Sequence, residues 1–157
     1  MPLRSSLAIA RNSMQIELGK GIEDIVFGAT KEAIISHWGK PTIEYVDESG
    51  DHCIAYFSKK VSLRFENEQS GKLTWIECAN PRAELLGLNV FDQQIDELTY
   101  KIETRTAEEP ETFTHGWLQT FFYAEDWLEL QLQFGELCAL NFGVHYDERD
   151  RPIWPNP

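Results

Sequence analysis

At 157 residues, 42% hydrophobic and 12% aromatic, the chain carries enough apolar material for a packed interior, which argues against a globally disordered chain. Its length fits one ordinary domain or two very small units sharing a core. A net charge of −12 argues against nucleic acid and anionic membranes as partners, and favours either plain solubility or a basic protein partner.

Three cysteines, Cys53, Cys78 and Cys138, lie far apart with no Cys-x-x-Cys spacing and no paired histidines beside them. That usage fits free, buried thiols in a reducing compartment, so a cytoplasmic protein without metal or cofactor is expected. The apolar stretch Leu7–Ala10 is too short for a signal-peptide core, and no transmembrane run follows. Residues 1–15 read as an arm without assigned function, with Met14 as an alternative translation start.

Gln15–Lys20 leads into a turn at Gly19–Gly21. The segment Phe27–Pro41, FGATKEAIISHWGKP, then reads as one short helix with both ends punctuated. Thr30 caps its N-terminus and Glu32 sits in the first turn, facing the positive end of the dipole. Ile34, Ile35 and Trp38 share a face, and Gly39 followed by Pro41 supplies the stop. An extended segment Thr42–Val46 and an acidic turn Asp47–Asp51 follow. Strands are predicted over His52–Ser58, Val61–Asn67 and Lys72–Ala79, with a turn at Glu68–Gly71 and a close at Asn80-Pro81.

From Ala83 a similar order begins again. Leu88–Tyr100 has helical spacing through Val90 or Phe91, Ile95, Leu98 and on to Ile102, with Asp92 as N-cap. A polar loop, Glu103–Thr114, replaces the Gly-Pro stop. Strands are predicted over Gly116–Tyr123, Trp127–Phe134 and Glu136–Val144, before a charged and then proline-rich tail that crosses the surface or hangs free. Gly71–Glu77 aligns with Gly135–Asn141, and Val61, Leu63 and Phe65 align with Leu128, Leu130 and Leu132. The expected fold is therefore α+β: two tandem helix-plus-antiparallel-sheet repeats, 16–81 and 82–146, with the helices on one face of the sheet. An arm (1–15) and a tail (147–157) flank them.

The spacing Phe-Gly-x-Thr-x-x-x-x-Ile-x-x-x-x-Gly-x-Pro in Phe27–Pro41 resembles the opening motif of the beta-lactamase-inhibitor-protein-like fold. It is similar also to the small outer-membrane lipoproteins of the SmpA/OmlA type and to some bacterial immunity-type proteins. The resemblance implies a helical layer on a sheet, and for the tandem inhibitor a concave sheet face that grips a target enzyme. The chain departs from the lipoproteins in lacking a lipidated cysteine, and from the secreted inhibitor in lacking paired cysteines. No contact residue carries over.

Strand parity locates a candidate interface. Leu128, Leu130 and Leu132 share one face of their strand, opposite Trp127, Glu129, Gln131 and Gln133. Val61, Leu63 and Phe65 likewise oppose Ser62, Arg64 and Glu66. Trp75 pairs with Glu77, and Trp117, Gln119, Phe121 and Tyr123 alternate with Leu118, Thr120 and Phe122. A polar sheet face bearing aromatics suits protein recognition. The other reading packs the same aromatics against loops or the tail residues Ile153 and Trp154. The expected partner-binding residues are Trp75, Trp117, Tyr123, Trp127 and Glu129, joined by Glu108 and Glu109 of an acidic loop.

The loops Asp47–Asp51, Glu108–Glu111 and Asp147–Asp150 either form one acidic patch that steers a basic partner or are separate solvated tips. His37 reads as a helix-end residue near the negative dipole end. His145-x-Asp147 with Glu148 and Asp150 reads as a weak cation site or, more simply, a charged strand exit. No serine-triad, P-loop or GxGxxG pattern is present. Two functions stay open: a non-enzymatic protein-binding module, of the inhibitor or immunity kind, and a small enzyme or ligand-binding protein with a pocket between the repeats and His52 or His115 as participants.

Overall fold

The chain, seen here as a computed structural model, is described over residues 13–156. Most of the expected N-terminal arm lies outside them, but Met14 already opens strand β1 (Met14–Glu17). A turn through Gly21 follows, where a Cβ would lie 1.9 Å from the Ile25 carbonyl oxygen, so only glycine fits. Gly21 opens β2 (Gly21–Ile22), and a second turn at Glu23-Asp24 carries the chain into β3 (Ile25–Val26). Helix α1 (Lys31–Trp38) is bounded as its sequence dictates. The Thr30 hydroxyl accepts the N–H of Ala33 at 3.2 Å, and Gly39, at φ +89°, donates its N–H to the Ile35 carbonyl at 2.8 Å.

Strands β4 (Ile43–Val46), β5 (His52–Tyr56), β6 (Val61–Glu66) and β7 (Lys72–Cys78) form a meander, followed by the short β8 (Ala83–Leu85) and β9 (Leu88–Asn89). Helix α2 (Ile95–Thr106) starts later and ends later than its sequence suggests. Gln94, not Asp92, holds the cap position; Asp92 belongs to the turn after β9, its N–H donating to the Asn89 carbonyl at 3.2 Å. Burial of Leu98 and Ile102 carries the helix into the expected polar loop, and the Thr104 and Thr106 hydroxyls bond back to carbonyls one turn earlier. Then come β10 (Glu111–His115), also inside the expected loop, β11 (Leu118–Tyr123), β12 (Leu128–Gln133) and β13 (Glu136–Gly143).

The strands form two sheets. The larger has eight antiparallel strands in the order β10-β11-β12-β13-β7-β6-β5-β4; the smaller has five, β3-β2-β1-β8-β9, antiparallel except for the parallel pair β1–β8. The expected fold class is therefore overturned. The described residues are 44% strand and 16% helix, with two α-helices, and the architecture is two large sheets rather than two tandem helix-plus-sheet repeats. The physical reason is the second sheet. Its strands are two to four residues long, too short for period-two alternation to show, and its central pair joins the start of the chain to its middle.

One hydrophobic cluster takes side chains from both sheets and both helices, including Ile22, Ile34, Leu85, Leu98 and Phe142. Phe27 and Phe142 meet edge to face at 5.6 Å. The tail is docked rather than hanging free. Trp154 lies against Gly28, and the Lys72 ammonium stands 5.1 Å from its ring centroid. The Ile153 N–H donates to the His145 carbonyl at 2.7 Å. Cys53 and Cys78 are buried free thiols as expected, whereas Cys138 is exposed. No helix among the described residues is long and apolar enough to cross a membrane.

Candidate functional site: a cleft on the open face of the large sheet

Strand register decides which side chains share a face. Tyr123, Leu128, Phe142, Ile76, Leu63 and Ile54 are paired in sequence across six strands, and all are buried in the core. One residue along each strand, a second row runs from Glu111 through Phe122, Glu129, Asn141, Glu77 and Ser62 to Ile43 at the far edge. A third joins Gly143, Trp75, Arg64, Cys53 and Tyr45. These two rows make up the face turned away from the core.

On that face lies a cleft of about 420 Å³. Trp75 lies across the neighbouring strand onto Gly143, where a Cβ would stand 2.8 Å from its ring. Arg64, opposite Trp75, stacks its guanidinium carbon 5.5 Å from the indole centroid. Trp127 closes another side. It sits at φ +49°, a left-handed conformation unusual for a bulky residue, and its ring meets Tyr146 at 5.0 Å and Phe122 at 6.0 Å.

Three carboxylates line the cleft: Glu66, Glu77 and Glu129. Each has a neutral donor. The Tyr146 hydroxyl donates to Glu66 at 3.4 Å, the Trp75 indole N–H to Glu77 at 3.4 Å, and the Asn141 amide to Glu129 at 2.9 Å. Burial, with Glu66 next, pushes the Tyr146 phenol up to about 12. Along the same face Cys53 is buried beside Asp47, and burial first and that carboxylate second raise its thiol, so it is a poor nucleophile. A shallower, mostly apolar depression of about 290 Å³ continues the face past Ser62, Glu77, Gln131 and Asn141.

Of the residues expected from sequence, Trp75, Trp127 and Glu129 meet in this cleft. Tyr123 does not belong to it. It is fully buried in the core, its hydroxyl 3.3 Å from Glu103. The parity that joined it to Trp117 fails because Trp117 sits in the β10–β11 turn, outside the strand. Trp117 is 65% exposed and stacks at 5.9 Å on the still more exposed Phe134. Glu108 and Glu109 lie in the α2–β10 loop, where Glu108 accepts the Glu125 N–H at 3.0 Å. Arg64, Glu66, Phe122, Tyr146 and Gly143 were missed. Alternation already placed Arg64 and Glu66 on this face; Tyr146 and Gly143 gave no signal, since one follows the last strand and the other has no side chain.

The single acidic patch does not form. Asp47–Asp51 joins β4 and β5 at one end of the large sheet, while Glu108–Glu111 leads into β10 at the other. His52 and His115 are likewise separated by six strand spacings, roughly 29 Å along the sheet, so no pocket holds both. His145 bonds the Asp126 carbonyl at 3.1 Å, and Asp147 accepts the N–H groups of Arg149 and Arg151. Among the described residues no group of three His, Cys, Asp or Glu side chains is placed to hold a metal ion.

No family model matches the chain, and no curated protein matches it significantly. Among solved structures, an extracellular protein containing a SCP domain from Bacillus anthracis strain Ames is similar at a TM-score of 0.47 and 13% identity. The likeness covers 83% of this chain and 49% of that one, so the chain spans about half the length of that protein. At that level the likeness carries no argument about function.

Proposed function

We propose that the chain is a non-enzymatic protein-binding module of the inhibitor or immunity kind, occluding a partner's site with the open face of the large sheet. One observation carries this reading: half-exposed aromatic anchors, Trp75, Trp127, Phe122 and Tyr146, stand among polar side chains on a broad sheet face. Aromatics set among polar groups are the usual energetic centre of protein interfaces. A sheet also supplies the rigid, pre-ordered surface that lowers the entropic cost of association. The competing reading, a small enzyme using His52 or His115, draws nothing from this cleft, which neither histidine lines.

The test uses two substitutions on this face outside the cleft, Ser62→Arg and Gln131→Arg. Each places a long charged side chain where a partner would dock, and each side chain is half-buried rather than in the core. The partner is sought first among proteins encoded beside this one, and binding is measured by calorimetry with the purified protein. Loss of binding with an unchanged melting temperature supports the reading. Wild-type affinity in both variants overturns it.

A further inference from the structure

Resting on that reading, we infer that the cleft is a socket for one basic side chain of the partner, an arginine above all. Glu66, Glu77 and Glu129 have no lysine, arginine or histidine within 4.0 Å among the described residues; neutral donors alone hold them. The cleft's own cation, Arg64, lies on the Trp75 ring and has no carboxylate within that distance. Three carboxylates against one guanidinium leave the cleft two negative charges in excess. An anion drawn towards Arg64 would meet all three.

A second observation is independent of charge. Thr74, only 3% exposed, lines the cleft, and its hydroxyl is buried without a hydrogen-bond partner. A hydroxyl oxygen accepts the N–H of an incoming guanidinium, which would relieve the cost of leaving that group unpaired. The Trp127 and Tyr146 rings supply a wall on which a planar cation stacks. Guanidinium suits such a site better than ammonium, because it is planar, more weakly hydrated, and able to bond a carboxylate in two places while stacking.

The probe is Nα-acetyl-arginine amide, titrated into the full chain with the Trp75 and Trp127 indole N–H resonances as readout. Saturable shifts at both are expected, with a dissociation constant on the order of 1–10 mM. Nα-acetyl-lysine amide should bind more weakly, and Nα-acetyl-glutamate amide should leave the resonances unmoved. The double variant Glu66→Gln/Glu129→Gln should weaken arginine about tenfold or more, and added salt should weaken it as well. Thr74→Val, which keeps the shape and removes the hydroxyl, should weaken it several-fold.

Unmoved resonances, binding of the glutamate amide, or unchanged affinity in the double glutamine variant would each overturn the socket. The two readings fail separately. If Gln131→Arg abolishes partner binding while the arginine amide does not bind, the interface stands without the socket. If the amide binds but Ser62→Arg and Gln131→Arg leave the partner's affinity intact, the cation site remains and the open face is not the interface.

Discussion

The tightest test of the cleft's construction is Gly143→Ala. Gly143 faces Trp75 across the β13–β7 pair, and a Cβ there would stand 2.8 Å from the ring atom Cε3 and 3.2 Å from the Thr74 carbonyl oxygen. The carbonyl has little freedom to retreat, because it accepts the Val144 N–H at 3.0 Å. The indole must therefore lift off its slot. Overpacking of this kind costs about 1–3 kcal/mol, and losing the stack of Arg64 on Trp75 adds roughly 0.5–1 kcal/mol. A combined loss of about 1.5–4 kcal/mol lowers the melting temperature by roughly 3–16 °C for a chain of this size. The effect should also be specific to the ring. In a Trp75→Ala background the ring contacts are gone and the tight approach to the Thr74 carbonyl remains, so a double-mutant cycle should return a coupling of about 2 kcal/mol. The measurement is calorimetric melting of the four proteins, with indole fluorescence reporting the ring. A Gly143→Ala protein melting within about 1 °C of the parent, or losing the same stability with and without Trp75, would falsify this account of the cleft floor.

Tyr123→Ala, which empties a fully buried site, should cost about 3–5 kcal/mol, while Trp117→Ala at an exposed turn should cost within about 0.5 kcal/mol; thermal melts separate them. Tyr146 has a folded pKa of about 12 against an ordinary value of 10.0. Its contribution to stability is therefore complete below pH 10 and is lost as pH rises towards 12. Glu66→Gln should move its titration down towards the ordinary value, read as tyrosinate absorbance relative to Tyr146→Phe. Asp147 is held below the ordinary carboxylate range, chiefly by the N–H of Arg151 and also by that of Arg149. The turn it closes should be intact at pH values above that range and open as pH falls through the folded value, with the Arg149 and Arg151 amide resonances as the reporter.

Some elements could be read from the chain because the forces that set them are local. Thr30, Gly39 and Pro41 bound α1 by backbone geometry alone, and the alternation of Val61, Leu63 and Phe65 sorted one whole strand correctly. The second sheet was illegible, because Met14–Glu17 pairs with Ala83–Leu85 and neither segment is long enough to show a period. The site failed in the same way at particular residues. Parity works inside a strand, so it placed Glu129 and Trp75; it breaks at a turn, so counting through Trp117 set Tyr123 on the wrong face. Trp127, also outside its strand, reached the open face only through a left-handed backbone that alternation does not encode.

The β13–β7 seam has a consequence for how the molecule comes into being. The β4–β7 and β10–β13 meanders are each made of neighbouring strands, but the pairing of Trp75 with Gly143 links positions nearly half the chain apart. Contacts of that span carry the largest loop-closure entropy and are the slow ones to form. Trp75 and Arg64 come from one meander, and Glu129, Phe122 and the glycine slot from the other. A chain with both hairpin arrays folded and the seam still open has no cleft at all. Ligand occupancy of the cleft would thus favour the closed seam over every state that lacks it, coupling binding to a long-range step of folding.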